Sequence, residues 1–91
     1  MLKWKYQLDK EGKALRRAIE DGSGLDVIRE LLNCYRKIEE VTGDTENPWI
    51  ADSIEDLEIW ADYPEVDADT VDGFLDSFYD VCDDLRVWVG I

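Results

Sequence analysis

Histidine is absent from this 91-residue chain, which removes the commonest general base and the commonest metal ligand together. Cysteine is scarce: Cys34 and Cys82 stand too far apart for a zinc motif. Both fall within apolar helical patterns, so they read as buried, reduced thiols of a cytosolic protein and not as a bridge. With 2 prolines and 6 glycines, the chain is neither collagen-like nor of low complexity. No apolar run reaches the roughly 18 residues that suggest a membrane span. The start, Met1-Leu2-Lys3-Trp4-Lys5-Tyr6, lacks the apolar stretch of a signal peptide, and a cytoplasmic location is expected. A glycine-rich phosphate loop and a nucleophile–histidine pair are missing too. No carboxylate pair stands out from the general acidity. The chain is therefore expected not to be an enzyme, and to hold no cofactor and no metal.

What is present is apolar matter and acid. Hydrophobic residues make up 45% of the chain and aromatics 11%, enough to offset the entropy of ordering it. The length predicts one domain spanning 1–91. Against 10 Lys and Arg stand 23 Asp and Glu, a net charge of −13. The distribution is more telling than the total. Residues 1–45 carry 9 bases and 9 acids, whereas residues 46–91 carry 14 acids and one base, Arg86. Direct contact with nucleic acid or anionic membrane is disfavoured, because both need cations. The expected partner is a basic protein surface.

Periodicity predicts a mainly α-helical fold of four helices. Leu2, Trp4, Tyr6 and Leu8 alternate with polar residues, the mark of an extended segment with one buried face. Asp9 is expected to cap a helix over about 10–21 whose stripe is Ala14, Leu15, Ala18 and Ile19, with Gly12 weakening its first turn. Ser23 and Asp26 resemble a capping box. Behind them Leu25, Val27, Ile28, Leu31, Leu32, Cys34, Tyr35, Ile38 and Val41 make a broad apolar face ending at Gly43. That face is wide enough for two neighbours, so this helix should be the spine. Asn47-Pro48 opens a third helix running to about Asp62, with Ile50, Ile54, Leu57 and Ala61 inward and Trp49 and Trp60 on a flank. Asp69 or Thr70 starts the fourth, with Val71, Phe74, Leu75, Phe78, Cys82 and Leu85 as its stripe. Residues 86–91 either continue that helix or leave it. The shared alternation at both ends favours a short two-stranded ribbon with residues 2–8.

On the fourth helix Asp69, Asp72, Asp76, Asp80 and Asp83 form one row opposite Phe74 and Phe78, at spacings of 3, 4, 4 and 3. Aspartate is a poorer helix former than glutamate, and a face meant only for solubility would interleave lysine. The third helix adds Asp52, Glu55, Asp56, Glu58 and Asp62. If the two helices present these together, the result is an array of anions at near-phosphate spacing. The expected partner-contacting residues are Asp52, Glu55, Asp56, Asp62, Asp69, Asp72, Asp76, Asp80 and Asp83. The run Asp67-x-Asp69-x-x-Asp72-Gly73 fails as an EF-hand loop, since Val71, Gly73 and Phe78 each stand at a mismatched position.

Two resemblances add to this reading. The segment Ala51-Asp52-Ser53-Ile54-Glu55-Asp56-Leu57-Glu58 resembles the phosphopantetheine attachment motif of acyl carrier proteins, which implies a prosthetic arm on Ser53. It departs from that motif in having Ile50 where a glycine normally stands. Phe78-Tyr79-Asp80-Val81-Cys82-Asp83-Asp84-Leu85-Arg86-Val87-Trp88-Val89, with Lys3-Trp4-Lys5-Tyr6-Gln7-Leu8, resembles small acidic accessory proteins of phages and mobile elements of Gram-positive bacteria. Several such proteins inhibit DNA-binding defence enzymes by imitating DNA, anti-CRISPR and anti-restriction proteins among them. That resemblance implies a non-enzymatic inhibitor occupying a basic groove. The alternatives are the acyl carrier, and a hydrophobic adaptor or homodimer using Trp49, Trp60 or Trp88.

Overall fold

The structure is a computed structural model that describes residues 6–43 and 46–88. Its order is β1 (Tyr6–Gln7), α1 (Asp9–Asp21), α2 (Gly24–Thr42), α3 (Pro48–Ala61), α4 (Ala68–Leu85) and β2 (Val87–Trp88). The expected extended residues 2–5, the Asp44-Thr45 loop and residues 89–91 lie outside the described residues.

Helix α2 forms where local signals agree. The Ser23 hydroxyl accepts from the Asp26 amide at 3.3 Å, and the Asp26 carboxylate accepts from the Ser23 amide at 3.1 Å. Both halves of the capping box are thus made. At the other end Gly43 takes φ 69° and its amide donates to the Glu39 carbonyl, a left-handed stop that glycine adopts without strain. Between the caps Val27, Ile28, Leu31, Leu32, Cys34, Tyr35 and Ile38 are buried.

These side chains reach three neighbours: α1, α3 and α4 each pack on α2. A helix with so broad an apolar face is satisfied only when covered on several sides. The molecule measures 38 × 27 × 19 Å, so its thinnest dimension is about two helix diameters. Leu8, Leu15, Ile50, Leu57, Phe78 and Val87 complete the core around the spine. At its first residue α2 comes so close to the chain linking α3 and α4 that a Cβ on Gly24 would meet the Val66 carbonyl oxygen at 2.6 Å. Glycine is required there by space, not by φ.

Local details differ from expectation at two helix starts. Leu8, not Asp9, occupies the cap position of α1, with no side-chain cap bond. Asp9 is the first helical residue, where its charge still complements the helix dipole. Helix α4 starts at Ala68, before Asp69 and Thr70, with Asp67 as its cap residue. The Thr70 hydroxyl donates to the Asp67 carboxylate and holds that carboxyl below its usual range. Helix α3 meets expectation at both ends, closing at Ala61 with Asp62 as its cap residue and opening with Asn47 accepting from the Trp49 amide at 3.0 Å.

Ile19 is 40% exposed rather than part of the α1 stripe. Gly12, a weak point by propensity, is buried. Next to it, the Cys34 thiol of α2 donates to the Glu11 carbonyl at 3.5 Å.

At the C-terminal end of α4, Arg86 adopts φ 55° and ψ 50° and turns the chain out of the helix. Val87 and Trp88 then pair in parallel with Tyr6 and Gln7. The ribbon is short, and it buries Leu8 and Val87 at the edge of the core.

Candidate functional site

Helices α3 and α4 rest on α2 and make no comparable packing with each other. Between them lies a cleft of about 370 Å³ lined by Trp49, Asp52, Ser53, Asp56, Ser77, Asp80, Val81 and Asp84. Each wall is one strip at helical spacing. On α3 it runs Trp49, then Asp52 and Ser53, then Asp56. On α4 it runs Ser77, then Asp80 and Val81, then Asp84. Residues three, four and seven apart share a side of a helix, which brings four carboxylates to one opening.

Of the nine residues singled out by sequence, the cleft gathers Asp52, Asp56 and Asp80. Asp72 lies elsewhere, on a groove with Ile19, Val27, Val66, Val71 and Leu75. Glu55, Asp62, Asp69, Asp76 and Asp83 are exposed but line neither opening. The cleft thus takes three of the nine acids and adds Asp84 as a fourth carboxylate, while the other six lie outside it. The reason is that both helices turn their apolar stripes to α2, which fixes the roll of each. Asp84 joins the site although it falls outside the row on α4. The signal that could have found it is its place four residues after Asp80, matching Asp56 four after Asp52.

Among the described residues no base forms an ion pair with these acids. Among the described residues the ion pairs are Arg16–Glu20 at 3.2 Å, Arg36–Glu58 at 3.8 Å and Lys37–Glu40 at 3.3 Å. None involves the nine residues or Asp84. Exposed pairs of this kind contribute little to stability in any case.

Trp49 stands 66% exposed at the rim, an indole with little cover. Trp60 is half-buried and makes an edge contact with Tyr63, ring centroids 4.8 Å apart. Trp4 and the side chain of Trp88 lie outside the described residues.

Behind the α3 wall is Tyr35 of α2, fully buried and in edge contact with Phe78 at 5.3 Å and 74°. Its hydroxyl is buried and has no hydrogen-bond partner among the described residues. Burial pushes the phenol up to about 12. The Ser53 hydroxyl acts in the opposite direction, so it lies within reach of the phenol without completing a hydrogen bond of good geometry. Ser53, half-buried in the sixth position of α3, thus stands between the phenol and the cleft.

Cys34 and Cys82 are both free and buried. Burial is the main cause that raises each thiol to about 12, with Cys82, Glu30 and Glu11 adding at Cys34 and Asp83 at Cys82. Neither is a thiolate nucleophile near neutral pH. Among the described residues no group of three or more acidic or thiol side chains is placed to hold a metal ion. No helix there is long and apolar enough to cross a membrane.

What the arrangement can do is attract and hold cationic donors. Its carboxylates only accept hydrogen bonds, and they are exposed without bases to satisfy them. No protein-family model matches the chain, and neither the curated proteins nor the solved structures offer a match.

Proposed function

We propose that the chain is a non-enzymatic, cytoplasmic interaction module that docks by its acidic face into a basic, nucleic-acid-binding groove of another protein. It resembles in this the DNA-imitating inhibitors carried by phages and mobile elements. The observation that carries the reading is the α3–α4 cleft, where four aspartates line one opening with no ion-pair partner among the described residues. The one-sided charge of residues 46–91 supports it. The reduced, buried thiols suit a cytoplasmic setting.

The mechanism is competitive occupancy. Carboxylates take positions that phosphates would hold against arginine and lysine, and the field of the acidic half steers association. Binding of this kind weakens as salt screens it. The test uses immobilised protein and a bacterial lysate at low and high salt. Retained proteins should bind nucleic acid, elute with salt, and be displaced by added duplex DNA. Asp52→Asn, Asp56→Asn and Asp80→Asn together should lose them while the helical spectrum persists. Retention that ignores both salt and duplex DNA refutes the reading.

A further inference from the structure

Three features meet at the α3–α4 cleft, and acidity is only one of them. Asp52 and Asp56 face the opening from one helix, Asp80 and Asp84 from the other. Trp49 offers a bare indole at the rim. Behind Ser53 a fully buried phenol oxygen, that of Tyr35, lacks a hydrogen-bond partner among the described residues. A buried hydroxyl without a partner is costly, and native proteins rarely leave one without a reason.

We propose that this cleft is an arginine-receiving subsite, admitting a guanidinium from a basic segment of the protein partner between the paired aspartates and against Trp49. The inference rests on the acidic-module reading and narrows it to one side-chain type.

The chemistry of the lining selects that group. A guanidinium carries five N–H donors and no acceptor, the complement of four carboxylates that only accept. Its flat faces stack on indole, which an ammonium ion does less well because it is compact and strongly hydrated. A donor entering over Ser53 can turn the Ser53 hydroxyl toward the Tyr35 phenol and so supply its missing partner. The volume of about 370 Å³ lies near the lower end of ligand-sized pockets, room for a side chain and not for a helix. A bare metal ion is a poor occupant, since no three ligating groups converge closely enough among the described residues.

The experiment titrates the full chain with two short glycine–serine peptides of equal charge, one carrying arginines and the other lysines, read by calorimetry and tryptophan fluorescence. The arginine peptide should bind about tenfold more tightly than the lysine peptide. Asp56→Asn with Asp80→Asn should weaken it about tenfold or more, through loss of charge-assisted hydrogen bonds. Glu55→Gln with Asp62→Asn removes the same charge outside the cleft and should weaken it far less. Trp49→Ala should erase the arginine preference. Tyr35→Phe should weaken the arginine peptide without lowering the melting temperature, which a merely structural phenol would not do. Equal affinity for the two peptides, or equal losses from the two double variants, overturns the subsite while leaving the acidic-module reading intact. Failure of the arginine peptide to bind at low salt overturns the subsite as well. Duplex-insensitive, salt-insensitive capture of the natural partner is the separate result that sinks the broader reading.

Discussion

Replacing Tyr35 by phenylalanine should make this protein more stable. The ring is fully buried and its edge contact with Phe78 does not involve the oxygen, so the substitution keeps the packing and deletes one hydroxyl. That hydroxyl has no partner among the described residues, and a buried hydroxyl left unsatisfied costs roughly 1–3 kcal/mol. Allowing for the small void left by the oxygen, the gain should be about 1 kcal/mol. For a domain of this size that corresponds to a rise of about 4–8 °C in melting temperature. Tyr35→Ala sets the opposite bound: losing the whole buried ring should cost about 3–5 kcal/mol, much of what a small domain has. Ser53→Ala discriminates further. If Ser53 only approaches the phenol, its loss changes stability by less than about 0.5 kcal/mol. Thermal and urea unfolding at neutral pH, followed by circular dichroism, measure all three. A clear loss of stability in Tyr35→Phe refutes the reasoning, because it means that the native phenol is hydrogen-bonded.

The other predictions are independent of one another. Ser23→Ala breaks the capping box at the start of the spine and should cost about 1 kcal/mol in the same unfolding assays. Gly24→Ala should cost more than an ordinary glycine-to-alanine change, since its methyl group would collide with the Val66 backbone; unchanged urea midpoints would contradict that close approach. Cys34, Cys82 and Tyr35 all have native pKa values raised to about 12, from ordinary values of 9.0 for the thiols and 10.0 for the phenol. The unfolded chain therefore releases these protons first. Their contribution is intact below about pH 9 and is lost as pH rises toward 12, which a pH series of urea midpoints will reveal. Treatment with a phosphopantetheinyl transferase and coenzyme A should leave the mass unchanged, because Ser53 is half-buried in a cleft wall; a gain of the prosthetic arm would support the carrier alternative.

The helical frame was legible wherever the determinants are local. Ser23 with Asp26, Gly43 as a left-handed stop, and Asn47-Pro48 act within a few residues, so their effect does not depend on the rest of the fold. The breadth of the α2 stripe likewise announced a spine with two neighbours, and the structure gives it a third. The cleft was less legible because it depends on how two distant helices are rolled about their axes. Spacing alone put Asp69 to Asp83 in a row, but only the seating of α3 and α4 on α2 decides which acids share an opening. Asp84 enters by that route, and Asp72 leaves by it. Ile19 went astray because α1 presents Leu15 and Ala18 to the core and leaves Ile19 beside a surface groove. The orphaned oxygen on Tyr35 has no sequence signature at all, since a tyrosine in an apolar stripe does not reveal what surrounds its tip.

The manner in which α3 and α4 are supported carries a mechanical consequence. Two rods fastened to a common beam, and scarcely to one another, can change their separation by sliding on the beam while breaking few mutual contacts. The width of the gap between them can then change by small shear at buried side chains instead of by refolding. Such a gap tolerates visitors of differing bulk, while the beam itself, gripped from three directions, stays put.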